Sequence, residues 1–137
     1  MSDFSQALIK QYKYWGVYLA ENQGYLGRCV IWCDREDAED LSEATPEERE
    51  ELFMILGDLR AAATKAFQSD WVNYTFLGNS TRHLHGHFVP RYAHEKEFAG
   101  MVFKDDRWGH SYRTDHAFIT PPDVFGQIKK SLADALG

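Results

Sequence analysis

A chain of 137 residues with a formal charge of −6 fits one domain and is long enough to bury a core. Its 44% hydrophobic and 15% aromatic content argues against disorder, and its acidity against non-specific nucleic-acid binding, which needs clustered Lys and Arg. A small anionic ligand stays open, because a local site can be positive on an acidic protein.

Residues 3–13 read as a short helix, capped by Asp3, with Phe4, Ala7 and Leu8 on one side. "YWGVYLA" then reads as a strand, "ENQG" as a turn and "RCVIWC" as the hairpin partner. Cys29 and Cys33 would stand about 13 Å apart along that strand, beyond disulfide reach. As free thiols they point to a reducing compartment and a cytoplasmic location, and without a second pair they make a poor zinc knuckle. No segment resembles a signal peptide, and no apolar run is long enough to span a bilayer, so no membrane partner is expected.

"DREDAED" reads as a solvated acidic connection. Thr45-Pro46-Glu47-Glu48 supplies a cap, a proline at the first helical position and a glutamate three residues after the cap. This helix is expected to run to about Gln68, burying Leu52, Phe53, Leu56, Leu59, Ala63, Ala66 and Phe67. "WVNYTFL" reads as a third strand, "GNST" as a turn and "RHLHGHFV" as a fourth strand antiparallel to the third. Residues 89–119 read as mostly irregular. Thr120-Pro121-Pro122-Asp123 opens a C-terminal helix striped by Val124, Phe125, Ile128, Leu132 and Leu136. No repeat, low-complexity stretch or linker interrupts residues 1–137. The predicted class is therefore α+β: one domain with an antiparallel sheet, one long helix and a C-terminal helix packed on it.

"STRHLHGHFVPRY" holds half of the six histidines. On a strand His83, His85 and His87 share one face at a spacing of about 6.6 Å, while Leu84, Gly86 and Phe88 face the core. Gly86 would let the long helix come close. Three imidazoles in a row are not core material, since each would need a polar partner. One reading makes them metal ligands completed by a carboxylate such as Glu21. The other makes the middle ring a nucleophile toward phosphorus, with a proton-carrying neighbour on each side. In that second reading His85 attacks, His83 and His87 stabilise phosphoryl oxygens or move protons, and the turn adds its amides with Ser80 and Thr81 as a phosphate cradle. Arg82 and Arg91 bracket the row as outer candidates.

"HLHGHFV" resembles the His-φ-His-φ-His-φ-φ signature of the histidine triad (HIT) superfamily of nucleotide hydrolases and transferases, and "PRY" is similar to the Pro-Arg that often trails it. "YLGRCVIWCDREDAEDLSEATPEE" and "NYTFLGNSTRHLHGH" extend the likeness over roughly residues 14–92, toward a branch with a shortened loop before the triad.

The resemblance implies a homodimer with joined sheets and a small-molecule nucleotide beside each triad. It implies attack by His85 on the α-phosphorus, a nucleotidyl-histidine intermediate, and release of a nucleoside monophosphate by water. His83 matches the orienting histidine, His87 the phosphate-contacting one, Ser80 the serine before the triad, and Glu21 an acidic residue that binds ribose hydroxyls.

Arg28 stands where many members carry a further histidine. Asn79, with Asn73 as a second candidate, falls near the place of a glutamine beside the leaving group. Without an N-terminal Cys-x-x-Cys, neither zinc nor another cofactor is expected. Dinucleoside polyphosphates, related adenylates or phosphoramidates are the implied substrates; the rivals are a nucleotide-binding module without catalysis and a metal-dependent hydrolase. Trp108 reads as a core residue or a base-stacking one.

Overall fold

The computed structural model describes residues 4–137. A five-stranded antiparallel sheet, order β1-β2-β3-β5-β4, is built from β1 (Leu8–Gln11), β2 (Trp15–Leu19), β3 (Cys29–Cys33), β4 (Trp71–Thr75) and β5 (His85–Arg91). One face is covered by α1 (Pro46–Phe67), and α2 (Pro122–Leu136) packs beside α1 and β1. A separate hairpin pairs β6 (Lys96–Phe98) with β7 (Met101–Phe103).

The start of the chain departs from the expected helix. Phe4–Ala7 make a 3-10 turn and Leu8–Gln11 an edge strand paired with Gly16–Tyr18; Asp3 lies outside the described residues. A helix that short is marginal alone, and the Tyr12 N–H bond to the Trp15 carbonyl closes a hairpin that captures the segment instead. The β2–β3 hairpin forms as expected, with Trp15 opposite Cys33 and Leu19 opposite Cys29. Both thiols are free and buried on the core face.

The start of α1 follows the sequence. Thr45 accepts a hydrogen bond from the Glu48 amide, and the Glu48 carboxylate accepts one from the Thr45 amide. Its buried face, though, is Leu52, Ile55, Leu59, Ala62, Ala63 and Phe67, whereas Phe53 is 76% exposed. The stripe is rotated by part of a turn because Ile55 and Ala62 complete it.

On the sheet's core side Val17, Ile31, Leu84 and Phe88 join that helical stripe. Gly86 receives not the helix but the ring of Phe76, whose Cε2 lies under 3.0 Å from where a Cβ would stand.

The fourth strand is displaced toward the C-terminus. It begins at His85 rather than Arg82, continues through Pro90 and Arg91, and leaves His83 just outside the ladder. Within the segment expected to be irregular, Ala99 and Gly100 both adopt positive φ, making the tight turn of the β6–β7 hairpin. The C-terminal helix starts at Pro122 without a side-chain cap; the Thr120 hydroxyl is committed to the Gln23 amide and the Glu21 carbonyl. Among the described residues no helix is long and apolar enough to cross a membrane.

Candidate active site

Strand alternation turns His85 and His87 onto the face away from α1, opposite Trp32 and Val30 of β3. They look into a cavity of about 750 Å³ whose other walls include Tyr18 and Leu19 of β2, Glu21, and Phe125 of α2. Thr81 lines it too; Asn79 and Ser80, on the same loop, are exposed and do not.

Backbone carbonyls fix the tautomers of two rings. His85 Nδ1 lies 2.6 Å from the His83 carbonyl oxygen, which only accepts, so Nδ1 is the donor and the lone pair of the neutral ring falls at Nε2. His83 Nε2 lies 2.6 Å from the Cys33 carbonyl and likewise donates. The His83 ring stacks on Trp32 at 4.2 Å, and the His85 ring lies 5.3 Å from that of His87 at a steep angle. Trp32 is a site residue that the sequence reading missed; its alternation with Val30 on β3 was the available signal.

His87 is the electrostatically unusual ring. Burial, then the neighbouring Arg28 charge, then His85 push its pKa down to about 4, so it is neutral at physiological pH. Its Nδ1 is buried without a hydrogen-bond partner among the described residues, which leaves Nε2 as the atom to serve the cavity. Arg28 is 9% exposed, donates from Nη1 to the Thr114 hydroxyl and lies over the Tyr112 ring. Burial lowers its pKa as well.

The remaining candidates are placed elsewhere. Arg82 is exposed. Arg91 is buried in an ion pair with Asp105 and also donates to Asn73 Oδ1, so neither Arg91 nor Asn73 is a ligand candidate. Trp108 is neither in the core nor at the histidines; it lines a second hollow with Trp71, Tyr74 and Arg91. Among the described residues no three His, Cys, Asp or Glu side chains are grouped to hold a metal ion. Two of the triad rings are instead turned toward carbonyls by one nitrogen each.

The family model described as HIT domain matches residues 28–94, the span from Arg28 through the triad. A HIT domain thus spans residues 28–94 of the chain. It is similar to a histidine triad protein from Sinorhizobium meliloti 1021, at 18% identity and a TM-score of 0.78, covering 96% of this chain and 92% of that one. A hypothetical histidine triad nucleotide-binding protein from Sulfolobus tokodaii strain7 follows at 12% identity and TM-score 0.74, with coverages of 95% and 83%. A Zn-bound histidine triad family protein from Mycobacterium smegmatis shares 16% identity at TM-score 0.64, with coverages of 93% and 84%. At such identities these likenesses speak for the fold. No curated protein matches the chain. The HIT-domain match supports a nucleotide-binding or hydrolase role.

Proposed function

We propose that this HIT protein hydrolyses a nucleotide at its α-phosphate through a nucleotidyl intermediate on His85. The observation that carries the reading is the His85 tautomer. A neutral imidazole with its proton held at Nδ1 by a carbonyl presents the Nε2 lone pair to the cavity, the arrangement a nitrogen nucleophile needs.

In the first step Nε2 bonds to phosphorus while the bond to the leaving group breaks and its electron pair departs with that group. In the second, water adds to phosphorus, the P–N bond breaks, and a proton and a nucleoside monophosphate are released. His87, neutral, donates from Nε2 to a phosphoryl oxygen; His83 and Trp32 fix the His85 backbone and ring from behind. Tyr18, Leu19 and Phe125 give the nucleoside an apolar wall, and Glu21 lies at the cavity rim to accept from ribose hydroxyls. No cofactor is needed for this chemistry.

A homodimer joined at the β4 edge fits the exposed Trp71 and Tyr74 on that strand, where unpaired backbone groups also lie open. A cytoplasmic location fits the two free thiols. A binding-only role draws on one observation, that Asn79 and Ser80 stand outside the cavity.

Rapid quenching of the enzyme after mixing with a dinucleoside polyphosphate decides between these readings. Intact mass should rise by one nucleotidyl group, on His85 by peptide mapping. An unmodified protein during active turnover, or no turnover across dinucleoside polyphosphates and phosphoramidates, overturns the covalent scheme.

A further inference from the structure

Arg28 carries a charge for which no described carboxylate provides a counter-charge. It is 9% exposed, yet no described carboxylate lies within ion-pair distance of it. Its partners are one hydroxyl, Thr114 at 2.8 Å, and one aromatic face, Tyr112 at 5.1 Å; Nε and Nη2 make no hydrogen bond to a described residue. Burying a cation without an anion is costly, and structures normally avoid it by pairing. Arg91 on the same sheet shows the ordinary solution, with its bidentate carboxylate.

The placement of Arg28 is specific. The Ala20 N–H bond to the Arg28 carbonyl continues the β2–β3 ladder, so Arg28 shares the face of Val30 and His87. It thus lies at the end of the histidine row, past His87 and away from His83, and it is not among the residues lining the nucleoside cavity. On the same face, His87 Nδ1 is a buried polar atom without a hydrogen-bond partner among the described residues. The guanidinium is held in one pose: Tyr112 supports its face, and Tyr112 is itself bonded to Thr75, which pairs with His87 across β4 and β5.

We propose that Arg28, with His87, forms the subsite for a phosphate of the leaving group, so that the substrate is a nucleoside phosphoanhydride rather than a phosphoramidate. This rests on the reading of His85 as nucleophile. The phosphorus under attack must stand over His85, inside the cavity. The next phosphate of an anhydride extends beyond it along the row and meets the guanidinium. When the P–O bond breaks, the electron pair stays on that phosphate oxygen, and Arg28 balances the new charge. An amine leaving group carries no such charge and requires a proton instead, which a guanidinium, always charged, does not give up.

The test uses the full chain and three variants, Arg28→Gln, Arg28→Lys and Thr114→Val, each checked for an unchanged circular-dichroism spectrum. Turnover of a dinucleoside polyphosphate and of a nucleoside phosphoramidate is measured side by side. Losing a charge-assisted contact in Arg28→Gln should lower the anhydride-to-phosphoramidate ratio of kcat/KM by about 30-fold, with part of the ratio restored in Arg28→Lys. Equal losses on both substrates would move Arg28 to the attacked phosphate and overturn the proposal, as would no loss on either.

Inorganic pyrophosphate titrated into the wild type by calorimetry gives a readout that does not need catalysis. One saturable site that Arg28→Gln abolishes supports the subsite; no binding, or binding that Arg28→Gln leaves intact, refutes it. If the wild type cleaves nothing, the hydrolase reading fails by itself and the pyrophosphate titration still decides whether Arg28 holds an anion.

Discussion

The His85 ring is tied to the residue two places before it: His85 Nδ1 donates to the His83 carbonyl oxygen across 2.6 Å. His83 in turn donates from Nε2 to the Cys33 carbonyl and stacks on Trp32, so the nucleophile is braced by neighbouring β3 through its own backbone. Replacing His85 by Asn should therefore remove the nucleophile without unlocking the cavity. The expected loss in kcat is at least about 10⁴-fold, the scale seen when a covalent nucleophile is deleted. Nucleotide affinity, measured by calorimetry with a nucleoside monophosphate, should change by no more than about threefold, within about 0.7 kcal/mol. Retained turnover in His85→Asn would sink the scheme.

His87 sets a pH dependence of stability. Its pKa stands at about 4, against an ordinary 6.5, chiefly because burial disfavours the charged ring and secondarily because Arg28 is close. Between those two values the unfolded chain takes up a proton that the folded chain refuses, so stability falls as pH falls through that window and is unaffected above it. Allowing for solvent screening of a half-buried ring, the fall is about 1–2 kcal/mol. Urea midpoints compared at about pH 7 and about pH 4.5 should show a smaller drop in His87→Gln than in the wild type. Parallel drops would mean that other groups carry the acid sensitivity.

Much of this site was legible because it rests on period-two alternation and on caps. The row of histidines, the Thr45–Glu48 capping box and the β2–β3 hairpin all follow from local patterns that tertiary packing reinforces. What escaped the sequence depends on long-range pairing. Leu8–Gln11 has no strong strand signal of its own and becomes a strand only because β2 offers an open edge. The α1 face was misjudged at Phe53, since periodicity alone does not say which side of a stripe meets the sheet. Trp108 and Arg91 were equally opaque. Their places depend on how residues 104–121 cross the sheet face, and that path is set by hydrogen bonds from Asn22, Gln23, Arg28 and Arg91 rather than by any local periodicity.

Any side chain at Gly86 is predicted to strain the site. A Cβ there would stand under 3.0 Å from Phe76 Cε2 and Cζ, so the ring must shift. Phe76 is already packed against the core, and Gly86 sits between the two cavity-lining histidines. Gly86→Ala should cost about 1–3 kcal/mol as overpacking, and it should lower kcat as well by shifting the backbone of His85 and His87. The double variant Gly86→Ala/Phe76→Ala should recover part of the lost turnover, because the clash is then absent even though a cavity remains. Failure to recover would mean that Gly86 matters for something other than the ring that covers it.

The last prediction concerns the anchor of the segment that carries Tyr112 and Thr114 over Arg28. Arg91 and Asp105 meet at 2.7 Å and 3.0 Å with side-chain exposures of only 4% and 1%. Arg91 also donates to the carbonyls of Arg107 and His110, and Asp105 accepts from the amides of Tyr92 and Arg107. Burial by itself would raise the Asp105 pKa, but the Arg91 hydrogen bond and the two amides outweigh it and hold the carboxylate below its usual range. Its contribution is therefore complete above the ordinary carboxylate pKa and is lost as pH falls through the lower folded value. Removing one partner leaves the other charge buried and unpaired, so Asp105→Ala or Arg91→Ala should each cost about 3–5 kcal/mol. Replacing both, as in Arg91→Met/Asp105→Leu, should cost much less than the sum, because no orphan charge remains. Urea unfolding of the four proteins at neutral pH measures this directly. Strictly additive costs would show that the pair acts as two independent packing residues, and the segment over Arg28 would then have to be held by its other hydrogen bonds.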